Sequence, residues 1–199
     1  MGAKRHAISG PSRRALVAGV LGAAGLAGAG LGARPAQAAT RLGDDGLYTQ
    51  DWYVEGFLDL KEDLAAAAAK GHGFALQWSQ RGCPLCKRLH TEYFADAAIE
   101  GPIKAAFDIV HLDLFGAREV TFFDGARLSE KALGTREGIR ATPTFQFFAE
   151  VDGKVKEVAR MPGLLAPPEF SAMFRYVAQK GYAGASFPEW LARQSAPRG

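Results

Sequence analysis

The chain has 199 residues, with 24 Lys and Arg against 21 Asp and Glu and a formal net charge of +3. Five of the basic residues (Lys4, Arg5, Arg13, Arg14 and Arg34) lie in the first 38 positions, which hold no acid; the rest carries 19 basic and 21 acidic groups, or −2. The positive excess therefore belongs to the leading segment and gives no ground for a nucleic acid or an anionic membrane surface as partner. The only two cysteines, Cys83 and Cys86, are three apart, which excludes a scaffold stapled by long-range disulfides.

Residues 15–32 are apolar and rich in alanine and glycine, and Ala36-Gln37-Ala38 has the A-x-A form of a cleavage site. This pattern predicts a secretory signal over residues 1–38, cleaved near Ala38–Ala39. Ser12-Arg13-Arg14-Ala15-Leu16 resembles the twin-arginine export motif. The expected location is the periplasm, and residues 39–199 are expected to form a single domain with short flexible ends.

Residues 39–51, rich in Gly, Asp and Thr, read as a loose lead-in. Leucines among acids and then five alanines predict a helix over residues 57–70, stopped by Gly71. The apolar run 74–79 reads as a buried strand. Gln80-Arg81-Gly82 turns into a helix that opens at Pro84 and is expected to reach about Ile99, with Gly101-Pro102 breaking it or beginning a short new turn. A second strand is expected over 107–114, and Asp124-Gly125 marks a hairpin between 119–123 and 126–128. Ser129 is placed to cap a helix over 130–138.

After Thr142-Pro143, the run 144–148 reads as a strand, returned by Asp152-Gly153 into 154–160. Pro167-Pro168 opens a last long helix whose apolar stripe is Phe170, Met173, Phe174 and Val177. In the tail 181–199, residues 187–191 are expected to dock as one helical turn and 196–199 to be disordered.

Cys83-Pro84-Leu85-Cys86 sits where strand becomes helix. Unpaired N–H groups at a helix start favour an anion, and Arg81, Lys87 and Arg88 add positive charge nearby. Such surroundings lower a cysteine pKa from about 8.5 to roughly 3.5–7.5, and the thiolate is the nucleophile. Cys83 is thus the candidate attacking thiol and Cys86, one turn further in, the resolving one, with Arg81, Pro84 and Lys87 in support. A zinc or metallochaperone reading would use Cys83, Cys86 and His90, but a tetrahedral site wants four ligands. His72 and His111 read as isolated structural residues. No metal and no cofactor is expected.

The order strand, C-P-x-C helix, strand, helix, Thr-Pro, hairpin, helix resembles the thioredoxin fold, an α/β fold with a central mixed sheet flanked by helices, here with a small hairpin insertion. The resemblance implies a cis Thr142–Pro143 bond facing the cysteines, with Thr142 and Pro143 binding substrate. Gly82-Cys83-Pro84-Leu85-Cys86-Lys87 with His90, Ala159-Arg160-Met161-Pro162-Gly163 and Pro168-Glu169-Phe170 look like periplasmic thioredoxin-like proteins of the SoxW type. That likeness implies a thiol–disulfide oxidoreductase acting on oxidised or sulfur-modified cysteines of partner proteins in sulfur oxidation. A membrane thiol-electron carrier would be its reductant. A Dsb-type oxidase or isomerase is the alternative within the same chemistry. A redox-inert adaptor is disfavoured by the intact C-x-x-C. Cytoplasmic thioredoxins carry a buried aspartate where this chain has Gln77. A neutral amide cannot take up the resolving thiol's proton, which leaves water or another group, such as Glu92.

Overall fold

A computed structural model describes residues 40–195. The expected signal over 1–38 and the expected disorder of 196–199 fall outside the described residues. The segment read as a loose lead-in is instead a hairpin, β1 (Thr40–Leu42) and β2 (Tyr48–Gln50), paired antiparallel with Thr40 opposite Gln50. Its turn is made locally. The Asp45 carboxylate accepts from the Leu47 N–H at 2.9 Å, and Gly46 takes a φ of 77°.

Helix α1 (Leu60–Ala69) starts three residues later than residue 57. Asp59 caps it, accepting from the N–H groups of Lys61 and Glu62 at 3.1 Å each. The residues before the cap are not helical: Leu58 is buried with a φ of 59°, and Phe57 is fully exposed.

Strand β3 (Gly73–Ser79) follows α1 and is central to the molecule. It pairs parallel with β4 (Phe107–Asp113) and antiparallel with β7 (Thr144–Val151), which in turn pairs antiparallel with β8 (Lys154–Pro162). The sheet order is β4-β3-β7-β8. A strand with a parallel neighbour is buried on both faces, and alternate residues of β3 serve two cores. Phe74, Leu76 and Trp78 join Leu60, Ala67 and Leu133 on one side; Ala75 joins Leu89, Phe94, Ile109, Phe145 and Phe170 on the other.

The cysteine helix is shorter than its pattern predicts. Helix α2 (Pro84–Arg88) passes into a π-helical turn, Leu89–Tyr93, and stops. A separate helix, α3 (Ala97–Lys104), is restarted by Asp96, whose carboxylate accepts from the Ala98 N–H at 2.9 Å. Pro102 lies inside α3 rather than breaking it. The helix forgoes one backbone bond there and is held by burial of Ile103 instead.

The inserted hairpin is β5 (Glu119–Thr121) and β6 (Arg127–Ser129), followed by α4 (Glu130–Arg136), where Ser129 caps at 3.2 Å to Ala132. Helix α5 (Pro167–Ala178) buries Phe170, Met173, Phe174 and Val177. The Phe174 ring meets those of Phe145 and Phe147 at 5.4 and 5.1 Å. The tail forms more than one turn: α6 (Phe187–Ser195) has nine residues and tucks Trp190 against Tyr176. No helix among the described residues is long and apolar enough to cross a membrane.

Candidate active site

Strand β3 ends at Ser79, and the chain must turn sharply to begin α2. Gly82, with a φ of 73°, makes that turn; a Cβ there would meet nothing within 4 Å, so backbone conformation rather than space calls for glycine. Cys83 follows in an extended conformation, φ −75° and ψ 113°, and is the N-cap of α2. Its Sγ accepts from the Cys86 N–H at 3.0 Å. Pro84 fills the first helical position, where its missing N–H costs nothing.

Cys83 and Cys86 are joined as a disulfide, with 5.2 Å between their Cα atoms. Both are buried, but unequally: Cys83 keeps 7% of its surface exposed and Cys86 only 2%. Leu85, between them, is exposed.

Register brings the second element to the sulfurs. Thr144 of β7 lies opposite Trp78 of β3, so the loop leading into β7 runs beside the cysteines. The Thr142–Pro143 peptide is cis, and the Thr142 carbonyl oxygen lies 3.4 Å from Cys83 Sγ. The loop is held on both sides: Thr144 Oγ1 donates to the Ala141 carbonyl at 2.8 Å, and the Gly163 N–H donates to that of Pro143 at 2.7 Å.

The positive charges do not gather at the thiol. Arg81 turns away to donate from Nε to the Asp45 carbonyl of the β1–β2 hairpin at 2.9 Å. Arg88 is paired with Glu92 at 2.8 Å on the exposed face of the helix. Lys87 is exposed on α2. Glu92, the expected substitute proton acceptor, is therefore committed to a surface ion pair.

Gln77 is fully buried, its Nε2 donating to Ser79 Oγ at 2.7 Å and its Oε1 left without a partner. His111 faces it across the β3–β4 register. His111 is not isolated: its ring centroid lies 6.0 Å from His90 and 5.8 Å from Tyr53. His72 is not isolated either: its Nδ1 lies 2.8 Å from Asp108 Oδ1, and Lys70 Nζ donates to the other carboxylate oxygen, Oδ2, at 2.7 Å.

His90 is fully buried, with Nδ1 3.1 Å from the Gln50 amide nitrogen. Burial, and then the neighbouring His111, lower its pKa to about 3. Burial, and then Arg118 against the opposing pull of Asp45, lower that of His111 to about 4. Both rings are neutral at neutral pH. Tyr53 is raised well above the usual phenol range by burial and by Glu100. Gln50 and Tyr53 were not singled out by sequence; they lie 61 and 58 positions before His111 and share no motif with it.

No group of three or more His, Cys, Asp or Glu among the described residues is placed to hold a metal ion.

A C-x-x-C pair at a strand-to-helix junction, on a mixed sheet with helices on both faces, defines a thiol–disulfide oxidoreductase of the α/β class. The chain belongs to the thioredoxin-like domain family, which matches residues 60–178. Among solved structures, a thioredoxin-fold protein from Helicobacter pylori is 17% identical with a TM-score of 0.50, covering 67% of this chain and 92% of its own. A thioredoxin from Thermus thermophilus is 26% identical with a TM-score of 0.48, covering 62% of this chain and 86% of its own. No curated protein matches the chain.

Proposed function

We propose that this oxidoreductase is a periplasmic reductase in which Cys83 attacks and Cys86 resolves. The carrying observation is the asymmetry of the two sulfurs. Cys83 keeps the greater exposure, and its Sγ accepts the Cys86 N–H at 3.0 Å and has the Thr142 carbonyl at 3.4 Å. A thiolate at Cys83 is thus stabilised by a backbone donor and belongs to the less buried of the two cysteines.

The Cys83 thiolate attacks one sulfur of a partner disulfide, and the other partner sulfur leaves as a thiolate. The Cys86 thiolate then attacks Cys83 Sγ, freeing the second partner sulfur and closing the Cys83–Cys86 bond. Two electrons pass to the partner, and its two thiolates take protons from solvent. The half-buried Thr142, on the N-terminal side of the cis bond and beside Cys83 Sγ, gives an extended partner segment a place to lie along the sulfurs. A dithiol carrier in the membrane returns two electrons to the disulfide.

The periplasmic setting rests on the sequence of residues 1–38, and a role in sulfur oxidation on the SoxW-like segments. Direction toward reduction is favoured by charge. Arg88 is offset by Glu92 and Arg81 is spent on the hairpin, so little beyond the helix start stabilises the thiolate, and a weakly stabilised thiolate makes a poor oxidant.

Cys86→Ser should accumulate mixed disulfides with partner proteins in a periplasmic extract, and Cys83→Ser should abolish the reaction. Trapping by Cys83→Ser and not by Cys86→Ser would reverse the roles. Sequencing the N-terminus of the native protein tests export: a start near Ala39 is expected, and an intact Met1 or Gly2 in a soluble cytoplasmic fraction would overturn it.

A further inference from the structure

Among the described residues four large apolar side chains are exposed: Leu42, Phe57, Leu85 and Phe115. All four stand at one end of the molecule. Strands β3 and β4 run parallel toward that end, with Ser79 level with Asp113. Leu85 follows soon after β3, and Phe115 soon after β4. Phe57 precedes α1, which runs back from this end to the start of β3. Leu42 lies on the β1–β2 hairpin, which is bonded to Arg81 at its tip and to the His90 carbonyl through Thr40. Cys83, beyond the end of β3, shares this end with them. The opposite end, where β3 and β4 begin, exposes no such side chain among the described residues. An apolar surface gathered in one place marks a site of interaction, whereas scattered exposed leucines do not.

Three of the four are tied to the cysteine turn. Leu85 lies between the cysteines. Phe115 is brought to the turn by the backbone: the Leu114 N–H donates to the Ser79 carbonyl at 2.8 Å, and the Cys83 N–H closes the next residues on the Gln80 carbonyl at 3.4 Å. Leu42 is brought there by strand alternation. Thr40 and Leu42 point to the same face of β1, and on that face Thr40 Oγ1 reaches the His90 carbonyl. Because the tip of the hairpin is held at Arg81, Leu42 runs alongside α2 between Arg81 and His90. The loop under Phe115 is fixed as well. Its N–H donates to Asp113 Oδ1 at 3.0 Å, and the buried Glu130 carboxylate accepts the N–H groups of Asp113 and Arg118 at 2.9 and 3.2 Å. Apolar side chains on backbone already ordered cost little further entropy when a partner covers them. The immediate neighbours of Cys83 are Gly82 and Pro84, neither of which offers a large side chain to a partner.

We propose that Leu42, Leu85 and Phe115 form an apolar collar that docks a segment of the oxidised partner protein bearing large apolar side chains beside its reactive cysteine. The inference rests on Cys83 being the attacking thiol. The occupant follows from that role. A mixed disulfide forms on Cys83 Sγ in every turnover, so a partner segment lies over this end of the molecule each time. Backbone pairing along Thr142 holds such a segment without reading its sequence, and pockets or patches for its side chains supply the choice. The collar does this by removing apolar surface of both partners from water before exchange begins. The exchange itself is unaltered: the same bonds form and break, and the same two electrons pass. Leu42 precedes residues 60–178, the part of the chain that matches the family, so the collar is not a property of the family domain alone.

The test compares three disulfides. Two are short peptides, each linked through its single cysteine to a second copy of itself, with Leu and Phe on both sides of the cysteine in one and Ser and Gln in the other. The third is 2-hydroxyethyl disulfide, too small and too polar to use the collar. The reduced protein should oxidise about tenfold faster with the apolar peptide than with the polar one. In the double variant Leu42→Ser, Phe115→Ser that advantage should be lost, while 2-hydroxyethyl disulfide reacts at the parental rate. Both positions are exposed, and equal urea midpoints for parent and variant confirm that the fold is kept. Equal parental rates with the two peptides overturn the proposal, as does an advantage that survives both substitutions. A parent that sediments as a dimer at the assay concentration, with a monomeric double variant, would give the face to a second copy of the chain and overturn it too. Failure to react with any of the three disulfides would instead sink the reading of Cys83 as an attacking thiol, so the two failures are distinguishable.

Discussion

At the scale of single residues, burial sets the chemistry more than charge does. His90 is buried beside the cysteine helix and His111 is half-buried next to it, with pKa values lowered to about 3 and about 4. An unfolded histidine titrates near 6.5. Between that pH and the folded value the unfolded chain binds a proton that the native state refuses. Stability is therefore greatest above about pH 6.5 and falls as pH drops toward 4, by about 1.4 kcal/mol per pH unit for each histidine. Urea midpoints at pH 7, 6 and 5 should show this decline, and His90→Gln should flatten it relative to the parent. Parallel curves for parent and variant would show that His90 is not held neutral. None of this is visible in the sequence, where His90 appears only as the residue one turn beyond Cys86. The pairing Gln77↔His111 depends on strand register, which brings residues 34 positions apart together. Cys83 and Cys86 are different: spacing, Gly82 and Pro84 are all local, so their place at the strand-to-helix turn was legible directly.

At the scale of elements, the β1–β2 hairpin is a strap over the active-site helix. It lies before the part of the chain that matches the family, residues 60–178. It grips both flanks of the cysteine pair. Arg81, before Cys83, bonds the Asp45 carbonyl, and the His90 carbonyl, after Cys86, accepts from Thr40 Oγ1 at 2.7 Å. Gln50, almost fully buried, adds its amide to the same carbonyl and to the His90 ring. The backbone needs these partners, because the π-helical turn Leu89–Tyr93 departs from the regular bonding of α2. Thr40→Val keeps the shape of the side chain and removes the donor. It should cost about 1 kcal/mol in urea unfolding with the slope unchanged, and raise hydrogen exchange in residues 89–93. Unaltered exchange there would mean that the hairpin does not hold the turn. The hairpin escaped sequence reading for a physical reason: each strand has three residues, too few for alternation, and its fixing contacts are polar and long-range. The break between α2 and α3 was missed similarly. Asp96 is a proper cap, but the apolar residues on either side continue the helical pattern without interruption. By contrast, α5 was plain, since Phe170, Met173, Phe174 and Val177 mark its buried stripe in the sequence alone.

At the scale of the whole molecule, the direction of electron flow is a statement about folding stability. Closing the disulfide in the folded protein and in the unfolded chain forms a thermodynamic cycle with the unfolding of each redox form. If the fold favours the disulfide over the dithiol, the oxidised form is the more stable and the protein is a reductant; if the fold favours the dithiol, it is an oxidant. Two features act on the balance. The Cys86 N–H directed at Cys83 Sγ helps a thiolate, and so favours the dithiol. Against it, both cysteines are buried, and Arg81 and Arg88 are engaged elsewhere; burial penalises a thiolate. The second effect is the larger, because one backbone hydrogen bond does not replace the hydration of a buried charge. The oxidised protein should therefore unfold at higher urea than the protein held in excess dithiothreitol. Each 1.4 kcal/mol between the two forms corresponds to about 30 mV in the two-electron potential. Equilibration in graded glutathione buffers should place the couple below that of glutathione itself. A reduced form more stable than the oxidised one, together with a couple above glutathione, would make the protein a donor of disulfides and reverse its place in the electron chain.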